Sequence, residues 1–257
     1  NTAKVILSET DKAYVDVTDN LTFLNDNSFI WTSEKDGWNH IYHYDRNGKL
    51  LDQVTDGDWE VTQYYGFDPK TGRIYFQSTE NGSINRDVFS VLANGKNKVQ
   101  LTQKRGTNDA DFSADFTYFI NSYTSATTPY EFTLHKARNG KKIRDIKDNK
   151  ALLEKLKPYN FSKKEFSTIE VNGNKLNMWM IKPSDFDPNK KYPLLMYQYS
   201  GPGSQEVSNT FFGPNDYWYQ LLAQQGYIIA CVDGRGTGFK GADFKKVTQK
   251  ELGKFEV

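Results

Sequence analysis

The chain has 257 residues, enough for one large or two modest domains, and its 33 basic and 32 acidic residues leave a formal net charge of +1. That balance gives no electrostatic footing for nucleic acid or an anionic membrane, and no apolar run nears the ~18 residues a membrane span needs. A single cysteine rules out an internal disulfide and leaves the redox compartment open; flanked by Ile228, Ile229, Ala230 and Val232, Cys231 reads as a buried small hydrophobe.

Aromatic residues are abundant (17 Phe, 16 Tyr, 5 Trp), and with the many Asn-Gly and lone Gly turn signals they predict a β-rich first half. That half repeats. Asn47-Gly48-Lys49, Asn94-Gly95-Lys96 and Asn139-Gly140-Lys141 recur at intervals of 47 and 45 positions (94−47, 139−94). Strand-like runs precede them at His40–Tyr44, Asp87–Leu92 and Tyr130–Lys136, and polar strands follow, ending near Thr55, Thr102 and Ile146. Further upstream lie Phe29–Thr32, Ile74–Gln77 and Tyr118–Asn121, joined to the next run by polar turns at Ser33–Gly37, Ser78–Ile84 and Ser122–Thr128. A period near 45 with several short strands indicates β-propeller blades, because one blade cannot bury both its faces. The Asn-Gly pairs suit type I′ hairpin turns. Three blades do not close a propeller, so further blades are expected before Asn1 and the chain is read as a fragment.

Two features of the repeats point to little chemistry. His40 and His43 fall on opposite faces of a strand with no third ligand nearby, so no metal site is expected. Asn20-Leu-Thr, Asn81-Gly-Ser and Asn160-Phe-Ser match the glycosylation acceptor pattern, which is loose enough to arise by chance in an Asn-rich chain.

The second half reads as α/β. Asp148–Lys157 is a short amphipathic helix stopped by Pro158, and Glu165–Val171 with Lys175–Ile181 form a hairpin around Asn172-Gly173. Pro193 opens a strand over Leu194–Tyr199 that ends in Ser200-Gly-Pro-Gly203. A helix capped by Asn215 or Asp216 runs to Gln225, Tyr227–Val232 is a strand buried on both faces, and Ala242 to about Leu252 is helical. This order predicts a parallel sheet. Asp233-Gly-Arg-Gly-Thr-Gly238 lacks the spacing of a dinucleotide or phosphate loop, so no cofactor is expected; it reads as a sharp turn with Arg235 available to tie it down by hydrogen bonds.

Tyr199 is the candidate site residue. Carboxyl ends of strands in open α/β sheets collect ligands and chemistry, and a phenol held there can donate to a developing oxyanion. An aromatic that merely closes the sheet end is the other reading.

Three stretches carry a family resemblance: Tyr199-Ser-Gly-Pro-Gly-Ser-Gln205, Val232-Asp-Gly-Arg-Gly-Thr-Gly238 and Leu252-Gly-Lys-Phe-Glu-Val257, with Gly57-Asp-Trp-Glu-Val61 in the repeats. Together they resemble the dipeptidyl peptidase IV group of the prolyl oligopeptidase family of serine peptidases, in its bacterial, Bacteroidetes-like form. The resemblance implies propeller blades over 1–148, followed by the N-terminal part of an α/β-hydrolase domain over 149–257. It implies peptide substrates with penultimate proline or alanine, release of N-terminal dipeptides, a periplasmic or cell-surface location and a homodimer. It also gives Tyr199 the oxyanion role. No Gly-x-Ser-x-Gly occurs in the chain, and the resemblance puts the catalytic triad and the amine-binding glutamates outside it, so the chain alone is expected to be inert. A prolyl tripeptidyl peptidase or oligopeptidase of the same family, or a non-catalytic peptide-binding propeller protein, are the competing readings.

Overall fold

The computed structural model describes residues 3–256. The repeats form three four-stranded antiparallel meanders. The first comprises β1 (Thr22–Phe23), β2 (Phe29–Ser33), β3 (His40–Tyr44) and β4 (Leu50–Gln53); the second β5 (Val61–Asp68), β6 (Arg73–Ser78), β7 (Asp87–Leu92) and β8 (Val99–Gln100); the third β9 (Thr107–Phe112), β10 (Tyr118–Ser125), β11 (Thr128–Lys136) and β12 (Lys142–Lys147).

Strand alternation explains why the sheets stack. On β6, Ile74 and Phe76 point into a core shared with Ile30 and Ile41 of the first sheet, while Tyr75 between them points into a core shared with Phe119 of the third. With a period of two, both faces of the middle sheet are apolar and each needs a neighbour. The family-like stretch 57–61 contributes Trp59 to the first of these cores, with the His40 ring edge-on to it at 4.8 Å. His40 is fully used: Nε2 donates to the Gly57 carbonyl (2.9 Å) and Nδ1 accepts from Thr55 Oγ1 (3.0 Å). His43, on the opposite face, bonds Ser28 Oγ instead.

The Asn-Gly turns are of two kinds, which corrects the uniform type I′ reading. At Asn172-Gly173 both residues have positive φ (50° and 75°), and Val171 faces Asn174 across a two-residue loop, as type I′ demands. In the blades only the glycine does so (Gly48 85°, Gly95 76°, Gly140 69°). There the loops are one or more residues longer: Asp45 N–H donates to the Lys49 carbonyl, and Leu92 N–H to that of Lys96. Longer loops favour a right-handed turn closed by one left-handed glycine, so the asparagine keeps negative φ. The third inner turn is also shorter than expected, since β10 continues to Ser125 and β11 starts at Thr128, with a bulge after Tyr123.

The second half begins with α1 (Lys150–Leu156), followed by a 3-10 turn over Lys157–Tyr159. The α-helix stops just before Pro158, as expected, with the proline in the tighter turn that follows; none of the α1 side chains is buried, so the expected amphipathic face is scarcely used. Next come β13 (Lys164–Val171), β14 (Asn174–Ile181), β15 (Leu194–Tyr197), α2 (Pro214–Gln224), β16 (Ile228–Val232) and α3 (Ala242–Lys246). The sheet order is β13-β14-β16-β15, and only β15 and β16 run parallel. The β15–α2–β16 crossover is parallel as expected, and the sheet as a whole is mixed because the β13–β14 hairpin enters antiparallel to β16. Tyr219 and Ala223 of α2 cover Trp179, Ile181, Ile229 and Cys231. Burial pushes the Cys231 thiol up to about 12, keeping it an inert core residue.

Two helix limits also differ from expectation. The cap of α2 is Gly213: Asp216, in the first turn, accepts the Gly213 N–H (2.8 Å), with Pro214 at the first helical position. α3 stops at Lys246, short of Leu252, with Lys250 in left-handed backbone (φ 60°).

Candidate active site

β15 ends at Tyr197, two residues before the expected limit, so Tyr199 stands beyond the sheet rather than within its last pair. Its side chain lies at the surface, 66% exposed. Ser200, immediately after it, is buried in left-handed backbone (φ 51°), which turns the chain sharply. Gln198 Nε2 donates to Ser200 Oγ (2.8 Å) and to the Glu256 carbonyl.

The loop carrying Tyr199 is fastened to the loop after β16. Gly203 N–H donates to the Gly236 carbonyl and Gly238 N–H to the Ser204 carbonyl, each at 2.9 Å. Approach this close requires glycine: a Cβ on Gly238 would stand 2.7 Å from the Gly203 carbonyl oxygen. Asp233 supplies the strongest tie, its buried carboxylate accepting the N–H groups of Glu206 (2.9 Å) and Val207 (3.0 Å). Burial raises the Asp233 pKa, and those two donors oppose the rise. Among the described residues Arg235 makes none of the hydrogen bonds expected of it; its guanidinium lies over the Phe255 ring at 4.5 Å.

The same loop reaches the repeats. Arg86 Nη2 donates to Gln205 Oε1 (2.6 Å), Gln205 Nε2 to the Ser83 carbonyl (2.8 Å), and the Arg86 guanidinium stacks on Phe239 at 4.0 Å. Asn209 donates to Asn85 Oδ1 (3.0 Å) and accepts from Ala126 N–H (2.9 Å). Glu60, 6% exposed, accepts the Gly241 N–H at 3.0 Å; burial raises its pKa, and that bond counters the shift. Lys245 pairs with Asp16 and Glu34, and Lys246 with Asp11 and Glu34. A cavity of about 260 Å3 lies along this seam, lined by Glu9, Asp16, Glu34, Glu60 and Phe239 among others; Tyr199 does not line it. Among the described residues no group of three or more His, Cys, Asp or Glu is placed to hold a metal.

Sequence reasoning placed Tyr199 near the sheet end but missed Asp233, Gln205 and Glu60. An acid directly after an apolar strand is a findable signal for Asp233; partners more than 100 positions away hide the other two.

A family described as the dipeptidyl peptidase IV N-terminal region matches residues 1–130, just over half of the chain. The chain belongs to the dipeptidyl peptidase IV family. The prolyl oligopeptidase family matches residues 215–257. Among relatives, the dipeptidyl peptidase 4 of Arthroderma otae is 38% identical over 89% of this chain and 30% of its own length, and that of Trichophyton rubrum is 37% identical with the same coverage. The crystal structure of Porphyromonas gingivalis dipeptidyl peptidase 4 is 43% identical, with a TM-score of 0.91 over 98% of this chain and 36% of that one. The fold is thus a set of propeller blades followed by the start of an α/β-hydrolase domain. The chain spans about 30% of the length of the curated relatives it matches.

Proposed function

We propose that this chain is part of a serine exopeptidase that releases N-terminal X-Pro or X-Ala dipeptides, with residues 1–148 as propeller blades and 149–257 as the beginning of the hydrolase domain. Beside the family membership, the observation that carries this reading is the placement of Tyr199. Its phenol emerges past the carboxyl end of β15, open to solvent, on a loop held by Asp233 and by Gln205. A hydroxyl presented there on a pinned backbone suits donation to the oxyanion of a tetrahedral intermediate, where preorganised donors act without reorganisation.

The chain contains no Gly-x-Ser-x-Gly, so the nucleophile of the complete enzyme lies elsewhere and the chain by itself is inert. Peptides are the substrates, and the whole protein is a homodimer at the periplasm or cell surface. Among the described residues no helix is long and apolar enough to cross a membrane.

The test is product mapping by mass spectrometry with the full-length protein and a peptide whose second residue is proline. Release of the N-terminal dipeptide, with labelling by a fluorophosphonate probe, is the expected result. Tripeptide or internal products would assign a different member of the family, and neither cleavage nor labelling would leave a peptide-binding propeller protein.

A further inference from the structure

Gly201 and Gly203 flank Pro202 in the loop after Tyr199, and they are glycine for different reasons. Gly203 has positive φ (73°) and open space around it, its nearest neighbour to an added Cβ being Lys245 Cδ at 3.6 Å. Its backbone conformation demands glycine. Gly201 lies outside the left-handed region, so alanine meets no backbone objection there. What an added Cβ would meet is the Tyr199 ring: Cε1 at 2.7 Å, Cζ at 3.2 Å and Oη at 3.4 Å.

The backbone at Gly201 cannot retreat from such a contact. Its carbonyl accepts both the N–H (2.9 Å) and the Oγ–H (2.6 Å) of Ser204, Ser200 before it is buried, and Pro202 after it has φ locked by its ring. The Tyr199 ring, by contrast, is mostly exposed, so between the two it is the ring that gives way. Any side chain at position 201 therefore displaces the ring and leaves the loop in place.

We propose that Gly201 is a positioning residue: its bare Cα is the surface on which the Tyr199 ring rests, and that contact sets where the hydroxyl points. This rests on the reading of Tyr199 as an oxyanion donor. A hydroxyl shifted by an ångström or so loses most of its benefit to the transition state while substrate binding is little affected.

The experiment is a double-mutant cycle in the full-length enzyme, with Gly201→Ala, Tyr199→Phe and the pair assayed on an X-Pro substrate beside their thermal melts. Gly201→Ala is expected to melt as the parent does, lower kcat by about 10- to 100-fold and leave KM within about twofold. In the Tyr199→Phe background it is expected to cost less than about twofold more, because the group it misplaces is already gone. Losses that multiply independently in the two backgrounds, or an unchanged kcat for Gly201→Ala where Tyr199→Phe is impaired, would overturn the inference and leave the role of Tyr199 standing. An unchanged kcat for Tyr199→Phe would remove both. Should Gly201→Ala melt early, adding Tyr199→Ala supplies the decision: recovery of the melt supports the ring contact, and no recovery refutes it.

Discussion

The blades and the α/β half solve the burial problem differently. In the blades the middle sheet is apolar on both faces and is sandwiched between the other two, so Ile74, Tyr75 and Phe76 are consecutive and all buried. In the α/β half, α2 covers one face of a four-stranded sheet, while on β15 Leu194 and Met196 are 57% and 52% exposed. Repetition lets the middle blade bury both faces of its inner strands against its neighbours; the mixed sheet has one helix for a single cluster. The blades are accordingly governed by packing, and the α/β half by loops and their hydrogen bonds.

The largest effect expected from that contrast is in the blades. Phe76→Ala, removing a fully buried ring between two sheets, should cost about 3–5 kcal/mol in urea unfolding of the full-length protein. A loss below about 1 kcal/mol would mean the inter-sheet core is not what holds the blades together.

In the α/β half the sensitive groups are polar. Asp233→Ala strands the buried N–H groups of Glu206 and Val207 and should cost about 2–4 kcal/mol, with faster hydrogen exchange at those two amides. Unchanged exchange there would show that the loop is held by something else.

A smaller effect separates the two kinds of turn. Asn172→Ala places alanine in left-handed backbone and should cost about 1 kcal/mol, whereas Asn47→Ala, at negative φ, should cost less than about 0.5 kcal/mol. Equal costs would erase the distinction between the hairpins.

The smallest concerns Glu60, whose burial raises its pKa. A carboxyl with a raised folded pKa binds its proton more tightly in the native state, so its contribution to stability falls as pH rises from the ordinary carboxylate range through the folded pKa. Glu60→Gln keeps an acceptor for Gly241 N–H and removes the charge. It should change stability at pH 7 by less than about 1 kcal/mol and flatten the pH dependence of unfolding just above pH 4.5. A steeper dependence in the variant would reverse the sign assigned to this group.

Much of the fold was legible because alternation survives in the residues. The limits of His40–Tyr44 and Asp87–Leu92 are those read from the pattern, and the 45-residue period marked the sheets before any pairing was known. What escaped depended on information outside the local stretch. The type of an Asn-Gly turn is set by loop length and by the register of its flanking strands, which the dipeptide does not carry. Arg235 and Asp233 share one short motif, yet the acid makes the bonds expected of the base, because which of the two faces the neighbouring loop is decided by the end of β16. Tyr199 was legible as a position, while the contact that orients its ring, a missing side chain at Gly201, leaves no residue to notice.

The seam between the blades and the mixed sheet, with Glu34 shared by Lys245 and Lys246 and Asn209 bonded to Asn85 and Ala126 of the blades, is joined largely by polar groups. Parting it would also uncover hydrocarbon, since Ile84 of the blades packs on the α/β cluster and Phe239 lies against Arg86, and both the urea m-value and the heat-capacity change follow uncovered surface. A hinge there would thus leave a trace in both, and the amide protons of Gly241 and Ala242, which reach across it to Glu60 and Gly37, are its local reporters.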